Sequence, residues 1–318
     1  MMVESANETR YDLGVAWEWE YDAPFIALLE AACRLHALNF LQITPQNLAI
    51  HWPRLDHERI KIHVFLDRAS DANDQFLPLS HWAETHAYEI LNPTQAASLA
   101  CDKATLHRLV THAGLKTPYT CILPPYEISP EPQTVDLRSL GANFIVKPAH
   151  GGGSLGVMVN ACTADDIQHA RQTYPADAYL LQTTVMPAEI EKQPAWFRVL
   201  YCCGSIFPCW WHPQTHIYTP VSPEDVKYHR LQALHTITAA LASICRLDLF
   251  STEIALTSDR SFVVIDYVND PVDLRLKSLA ADGVPDEIVR QIVEALARHA
   301  GSRTENTFEN QLPAPYFE

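Results

Sequence analysis

Residues 144–160 read FIVKPAHGGGSLGVMVN, and this stretch restricts the fold more than any other. Three consecutive glycines and a serine separate two apolar, β-rich runs, with a lysine just upstream. Gly151, Gly153 and Gly156 satisfy the G-x-G-x-x-G dinucleotide pattern, which requires a strand, the glycine turn, and then a helix whose N-terminus faces a pyrophosphate. Here VMVN follows, β-rich and too short for a helix, so the unit is strand, loop, strand and the dinucleotide reading fails. A Walker A loop places its lysine after the glycines and ahead of a helix, whereas Lys147 precedes them. A protein-kinase glycine loop is a hairpin but needs H-R-D and D-F-G downstream, and neither triplet occurs. Two readings remain. One is a phosphate flap, a β-hairpin whose tip offers backbone N–H groups to an anion with an ammonium on the entering strand. The other is a plain surface hairpin with one solvated lysine.

Composition narrows the setting. A chain of 318 residues, 47% hydrophobic and 19% charged, has material for two or three compact domains. No run of about 18 apolar residues occurs, and the opening MMVESANETRYDLG lacks the basic-then-apolar order of a signal peptide, so a cytoplasmic protein without membrane contact is expected. Eight scattered cysteines read as small buried hydrophobes, which fits a reducing compartment. The net charge of -15, with no basic cluster to offset it, argues against a nucleic-acid partner.

Residues 14–92 alternate extended runs (GVAWEWE, NFLQI, IKIHVFL) with the helical spacing of APFIALLEAACRLHAL, which predicts a small α/β unit with a parallel sheet. Asn92-Pro93 and Asp102 predict two helix starts, and Leu106, Leu109, Val110 and Ala113 predict a helix stopped at Gly114. Five prolines between Thr117 and Pro132 predict an extended or irregular connection, a loop and not an element. Thr163 and Asp166 predict a capping box. Strands are expected at AYLLQTTV, WFRVLYCCGSIF, LFSTEIAL and SFVVIDYV, the last two joined by TSDR, with helices near 224–246 and 284–300.

The order of these segments carries a resemblance. Asn92-Pro93, Asp102-Lys103 and GLKTP come first, then FIVKP with its glycine loop, then Gln182, Phe197-Arg198, Glu253 and Asn269. That succession, over roughly residues 90–280, resembles the ATP-grasp superfamily, which contains D-alanine:D-alanine ligase and glutathione synthetase. The resemblance implies an α/β (α+β) chain: the ATP-grasp fold with a small N-terminal Rossmann-like pre-ATP-grasp domain. Residues 1–91 would be that domain, 92–181 the ATP-grasp subdomain with the flap, 182–302 the C-terminal subdomain with the metal strands, and 303–318 a tail.

It also implies a carboxylate ligase that uses ATP and Mg2+ and takes small-molecule carboxylate and amine substrates; the oligomeric state is left open, a homodimer being a common outcome among the ligases it resembles. Lys103 and Lys147 would hold phosphates with Gly151, Gly152, Gly153 and Ser154. The backbone of Gln182, Thr183, Thr184 and Val185 would read the adenine edge with help from the Gln182 side chain, and Glu189 or Glu191 the ribose. Arg198 would face the transferred phosphoryl group, with Lys147 beside it, and Glu253, Asp266 and Asn269 would bind the metal. The family ends its metal strand with an acid, any residue and Asn; here Tyr267 stands at the acid position and Asp266 is one residue too early. Side-chain alternation puts Asp266 and Asn269 on opposite faces, whereas Asp266 and Asp270 share a parity. Either the strand bulges near Tyr267, or the second ligand set is rearranged, or metal binding is lost. A small-molecule kinase and a regulatory nucleotide-binding protein are the alternative functions. Cys202, Cys203, Cys209, His212 and His216 can be drawn as a zinc site but match no standard spacing, so CWWHPQTHIY is read as a substrate-side loop. The histidine-rich HWPRLDHERIKIH is read as surface, and Asp273 and Arg275 fall where the ligases bind substrate.

Overall fold

The computed structural model describes residues 8–131 and 135–309, with backbone alone for 304–309. It divides into two compact units, one of residues 95–272 and one that joins the N-terminal residues to the chain beyond Val272.

The first unit is built on a four-stranded parallel sheet in the order β2-β1-β3-β4, from β1 (Thr9–Trp17), β2 (Phe40–Ile43), β3 (Ile60–Arg68) and β4 (Glu89–Leu91). Parallel neighbours need crossovers, and α1 (Ala23–Leu35), α2 (Leu48–Asp56) and α3 (Leu77–His86) supply them. In α1 the buried Phe25, Ile26, Leu29, Ala32 and Cys33 recur at helical spacing, which gives it one face to bury. Both faces of the sheet are covered, so β3 is buried along most of its length, as its near-continuous apolar run requires.

The second unit begins with α4 (Thr94–Cys101) and α5 (Lys103–His112). Asp102 caps α5 by accepting from the Ala104 and Thr105 amides, as its sequence position predicts. Gly114, at φ +81, closes the helix while the Leu115 amide returns to the Val110 carbonyl. A first antiparallel sheet in the order β5-β8-β6-β7 contains β5 (Thr120–Leu123), β6 (Phe144–Pro148), β7 (Met158–Ala161) and β8 (Tyr179–Thr183). Its β5 lies inside the proline-rich stretch expected to be irregular throughout. The four residues TCIL sit between Pro118 and Pro124 at the sheet edge, where flanking prolines cost no ladder bond. Pro132 lies outside the described residues. Between β7 and β8 runs α6 (Ala164–Arg171), opened by the Thr163–Asp166 capping box.

A two-residue hairpin follows, β9 (Glu189–Ile190) with β10 (Gln193–Pro194). The second sheet runs β13-β12-β11-β14-β15, all antiparallel, from β11 (Trp196–Cys202), β12 (Ser205–Trp211), β13 (Tyr218–Pro220), β14 (Leu249–Leu256) and β15 (Phe262–Asn269). The single helix expected near 224–246 is two, α7 (Pro223–His229) and α8 (Ala233–Cys245), because Arg230 adopts a left-handed conformation between them. The last helix, α9 (Asp286–Glu309), packs on α1, β1 and β3 and so belongs to the first unit. The sequence grouping had placed it with the metal strands. Its buried Val289, Ile292, Val293 and Leu296 give it an apolar face that a contiguous reading of the chain cannot assign to a partner. The helix also extends through 303–309, which were grouped with the tail; residues 310–318 lie outside the described residues.

Candidate active site

The glycine stretch is a hairpin. β6 and β7 pair antiparallel, Phe144 with Ala161 and Val146 with Met158, and Gly151 to Ser154 form an exposed tip. Of the glycines, Gly156 is the most constrained: its φ is +71 and a Cβ there would stand 2.5 Å from Tyr174 Cε2. Alternation along β6 does the rest. Phe144 and Val146 enter an apolar core against α6, so Lys147 points to the opposite face. That face also carries Leu180 and Gln182 of β8, paired with Lys147 and Ile145, and Thr120 of β5, paired with Gln182.

Lys147 is 8% exposed, and among the described residues its ammonium has neither an ion pair nor a hydrogen bond. Its nearest aromatic neighbour is the Tyr267 ring, 5.7 Å from Nζ to the centroid. Burial lowers its pKa; the Asp266 and Glu253 carboxylates oppose that shift and Lys103 reinforces it. Lys103 opens α5, donates its backbone N–H to the Ala149 carbonyl at 2.9 Å, and reaches the Gly151 carbonyl with its ammonium. Both sequence-predicted phosphate lysines and the flap are therefore brought together.

The second sheet supplies the acids. Arg198 on β11 lies directly opposite Glu253 on β14, and Nη1 donates to Glu253 Oε1 at 3.0 Å. Arg198 Nε donates to Ser251 Oγ at 3.1 Å, and the guanidinium lies 5.4 Å from the Trp211 ring centroid. Trp196 Nε1 donates to the other Glu253 oxygen at 3.2 Å. Glu253 is pushed up to about 7, first by burial and further by the Asp266 carboxylate, against the pull of Arg198.

The parity conflict at the metal strand resolves as a bulge. Ser251 faces Asn269 and Glu253 faces Asp266, so two steps along β14 match three along β15, and the extra residue lies between Asp266 and Asn269. A ladder partner shares its face with the residue opposite. Asp266 and Asn269 therefore stand on the same side as Ser251 and Glu253. Tyr267 is turned away into the core formed with α5 and α8, where its hydroxyl meets His107 Nδ1 at 2.6 Å and accepts from Gln182 Nε2 at 3.1 Å. The Asn269 amide nitrogen is buried and finds no partner among the described residues. No described residue hydrogen-bonds the Asp266 carboxylate.

Other expectations fare differently. Gln182 directs its amide nitrogen to Thr120 Oγ1 at 3.0 Å and to Tyr267, and Thr183 is the last residue of β8. Thr184 and Val185 follow that strand, with Thr184 Oγ1 donating to the Asn143 carbonyl. Glu191 sits at the tip of the β9–β10 turn and faces His229 at 3.6 Å, while Glu189 is exposed on β9. Cys202 and Cys203 lie at the β11–β12 turn, Cys209 lies opposite Arg198, and His216 stacks on Trp211. Among the described residues no group of three or more His, Cys, Asp or Glu is placed to hold a metal. Arg275, in the first unit, is occupied by Asp273 and Asp282 at 2.7 and 3.0 Å. His107, Trp196, Ser251 and Trp211 were not anticipated. Of these, only His107 left a trace in the sequence, a polar residue beside Leu106 on the apolar face of a helix.

No protein-family model matches the sequence, and no curated protein matches it. The chain path, however, matches solved structures. D-alanine–D-alanine ligase from Bacillus anthracis, complexed with ATP, aligns at TM-score 0.62 and 13% identity over 94% of this chain and 99% of that one. The ATP-grasp ligase PsnB, complexed with minimal precursor, Mg and ADP, aligns at 0.60 and 13% over 92% and 98%. The RimK domain ATP-grasp protein from Sphaerobacter thermophilus aligns at 0.60 and 16% over 90% and 99%. This chain has the ATP-grasp fold, as the order of its sequence segments implied.

Proposed function

We propose that the protein is an ATP-dependent carboxylate ligase, transferring the γ-phosphoryl group of ATP to a carboxylate so that an amine or similar nucleophile can displace phosphate. The observation that carries the reading is the buried Lys147 ammonium without a counter-anion, placed between the glycine hairpin and a face bearing Glu253, Asp266 and Asn269. Burying an unpaired charge costs several kcal/mol, roughly, so a site that keeps one is built for an anionic ligand. Lys103 and the tip amides of Gly151, Gly152, Gly153 and Ser154 lie beside it and suit a polyphosphate.

A magnesium ion fits the donor set. Two carboxylates and an amide share one face, and the orphaned Asn269 amide presents oxygen instead of nitrogen after a half-turn. Glu253, Asp266 and Asn269 would hold it, and the ion would neutralise charge on the phosphates. Arg198, held between Glu253, Ser251 and the Trp211 ring, offers a fixed guanidinium to the transferred group. The backbone from Gln182 to Val185 takes the adenine edge, and Glu189 or Glu191 the ribose. The bulge favours a working metal face over a lost one.

The test is ADP release from Mg-ATP across a matrix of carboxylates and amines. A ligase releases ADP over many turnovers only when both are present, a carboxylate alone giving at most the bound acylphosphate. Sustained turnover to a stable phosphorylated product without an amine would make the protein a kinase, and a Mg-ATP melting shift with no turnover in any pairing would make it a binding module.

A further inference from the structure

We propose that Tyr267 is a positioning residue for Lys147, holding the ammonium by its ring face without neutralising it. The proposal rests on the ATP reading above and deepens it. Tyr267 stands where the acid-x-Asn pattern would put a carboxylate, and a carboxylate there would give Lys147 a counter-charge within the protein. A ring attracts a cation through its quadrupole and leaves the three N–H donors and the net charge for another anion. The Lys147 Nζ lies 5.7 Å from the ring centroid, inside the range of that attraction, with no described carboxylate at ion-pair distance.

The ring cannot swing away. Gln182 on β8 donates to the phenol oxygen at 3.1 Å, and that oxygen also lies 2.6 Å from His107 Nδ1 on α5. Burial and the nearby Lys147 charge lower the His107 pKa, which favours the neutral ring. A hydroxyl serving only to satisfy a buried tyrosine needs one partner. Two partners from two elements fix the ring's plane, and the ring is 1% exposed. The bulge makes this possible, because the extra residue turns Tyr267 into the core while Asp266 and Asn269 stay on the opposite face.

The experiment compares calorimetric affinities for ATP and for adenosine, with and without magnesium, in the wild type and in Tyr267→Phe, Tyr267→Leu, His107→Leu and Lys147→Met. Tyr267→Leu is expected to weaken ATP by about tenfold or more and adenosine by much less, through the lost Gln182 contact alone. Tyr267→Phe keeps the ring and loses only its clamp, as does His107→Leu, and each is expected to weaken ATP by about threefold. Equal losses for ATP and adenosine would make Tyr267 merely structural and overturn the proposal, as would a Tyr267→Leu variant with wild-type ATP affinity. If Tyr267→Leu does not fold, the same comparison in Tyr267→Phe and His107→Leu decides, equal losses or none overturning it. A wild type that binds no nucleotide overturns both this proposal and the ATP site. A Lys147→Met variant that loses ATP while Tyr267→Leu retains it overturns the role of Tyr267 alone.

Discussion

Lys147→Met separates the cost of the buried ammonium from its use. Methionine keeps the length of the side chain and removes the charge. In the free protein, burial lowers the Lys147 pKa, so the folded state disfavours the charged form more than the unfolded state does. Removing the charge is therefore expected to leave the melting temperature of the nucleotide-free protein unchanged or raised. The ligand-bound state behaves oppositely. A hydrogen bond to a charged group contributes about 1.5–3 kcal/mol, so losing it weakens Mg-ATP by about 10- to 150-fold. At a nucleotide concentration of about 100 times the wild-type dissociation constant, binding stabilises the wild type by about 2.7 kcal/mol. A loss of about 2 kcal/mol in binding leaves roughly 0.9 kcal/mol of that stabilisation. For a unit of this size the wild-type shift of about 5–10 °C falls to about 2–3 °C. Thermal melts with and without Mg-ATP read both effects at once. A mutant that melts lower when free and keeps the full nucleotide shift would refute the reasoning, because Lys147 would then be a structural residue.

Asp266→Asn is expected to remove the magnesium-dependent part of nucleotide affinity and to lower turnover by about two orders of magnitude, while magnesium-free ADP still binds; titration calorimetry in EDTA and in magnesium checks it. Magnesium affinity should fall as pH drops through about 7, since a proton on Glu253 competes with the ion. In the metal-free protein the same raised carboxyl pKa has the reverse consequence: the folded state holds this proton longer, so Glu253's contribution to stability is present at low pH and is lost as pH rises toward about 7. Melting curves at stepped pH with and without magnesium should diverge in that window. Gly156→Ala, which needs φ +71 and meets Tyr174, should cost roughly 1–3 kcal/mol in a denaturant melt, whereas Gly152→Ala, with open space around it, should be near neutral. Thr163→Ala removes the capping-box acceptor of α6 and should cost about 1 kcal/mol.

Local signals were legible wherever one residue decides a local geometry. Asp102, Thr163 with Asp166, and Gly114 each satisfy backbone groups within a few positions, so each helix terminus could be read from the chain. Lys147 was legible because it stands just upstream of the glycine loop on the entering strand, and alternation along β6 then sends it to the face opposite Phe144 and Val146. What the sequence hid was long-range. Nothing in Asp286–Glu309 states that its apolar face belongs against β1 and β3, more than 200 positions earlier. The strand β5 was masked by its prolines because edge position is a property of the finished sheet, not of TCIL. The pairing of Arg198 with Glu253 needed the β11–β14 register, and the direction in which Tyr267 points needed the bulge.

The inserted residue on β15 changes the charge arithmetic of the site as well as its geometry. With the bulge in place, two cations, Lys147 and Arg198, face two carboxylates, Glu253 and Asp266, and of these four Arg198 and Glu253 are the pair within ion-pair distance. The set is neutral as a whole, which lets a protein of net charge -15 bury it without a ligand. It is also incomplete in its pairing: among the described residues one ammonium, one carboxylate and one amide nitrogen find no hydrogen-bond partner. An anion beside Lys147 and a cation between Asp266, Glu253 and Asn269 would complete it together, since either ion alone leaves an uncompensated charge in a low-dielectric site. A carboxylate in place of Tyr267 would close the ammonium internally and remove that demand. On the proposed reading, the departure from the acid-x-Asn pattern would preserve the requirement for paired ions, with a tyrosine ring in place of a counter-charge.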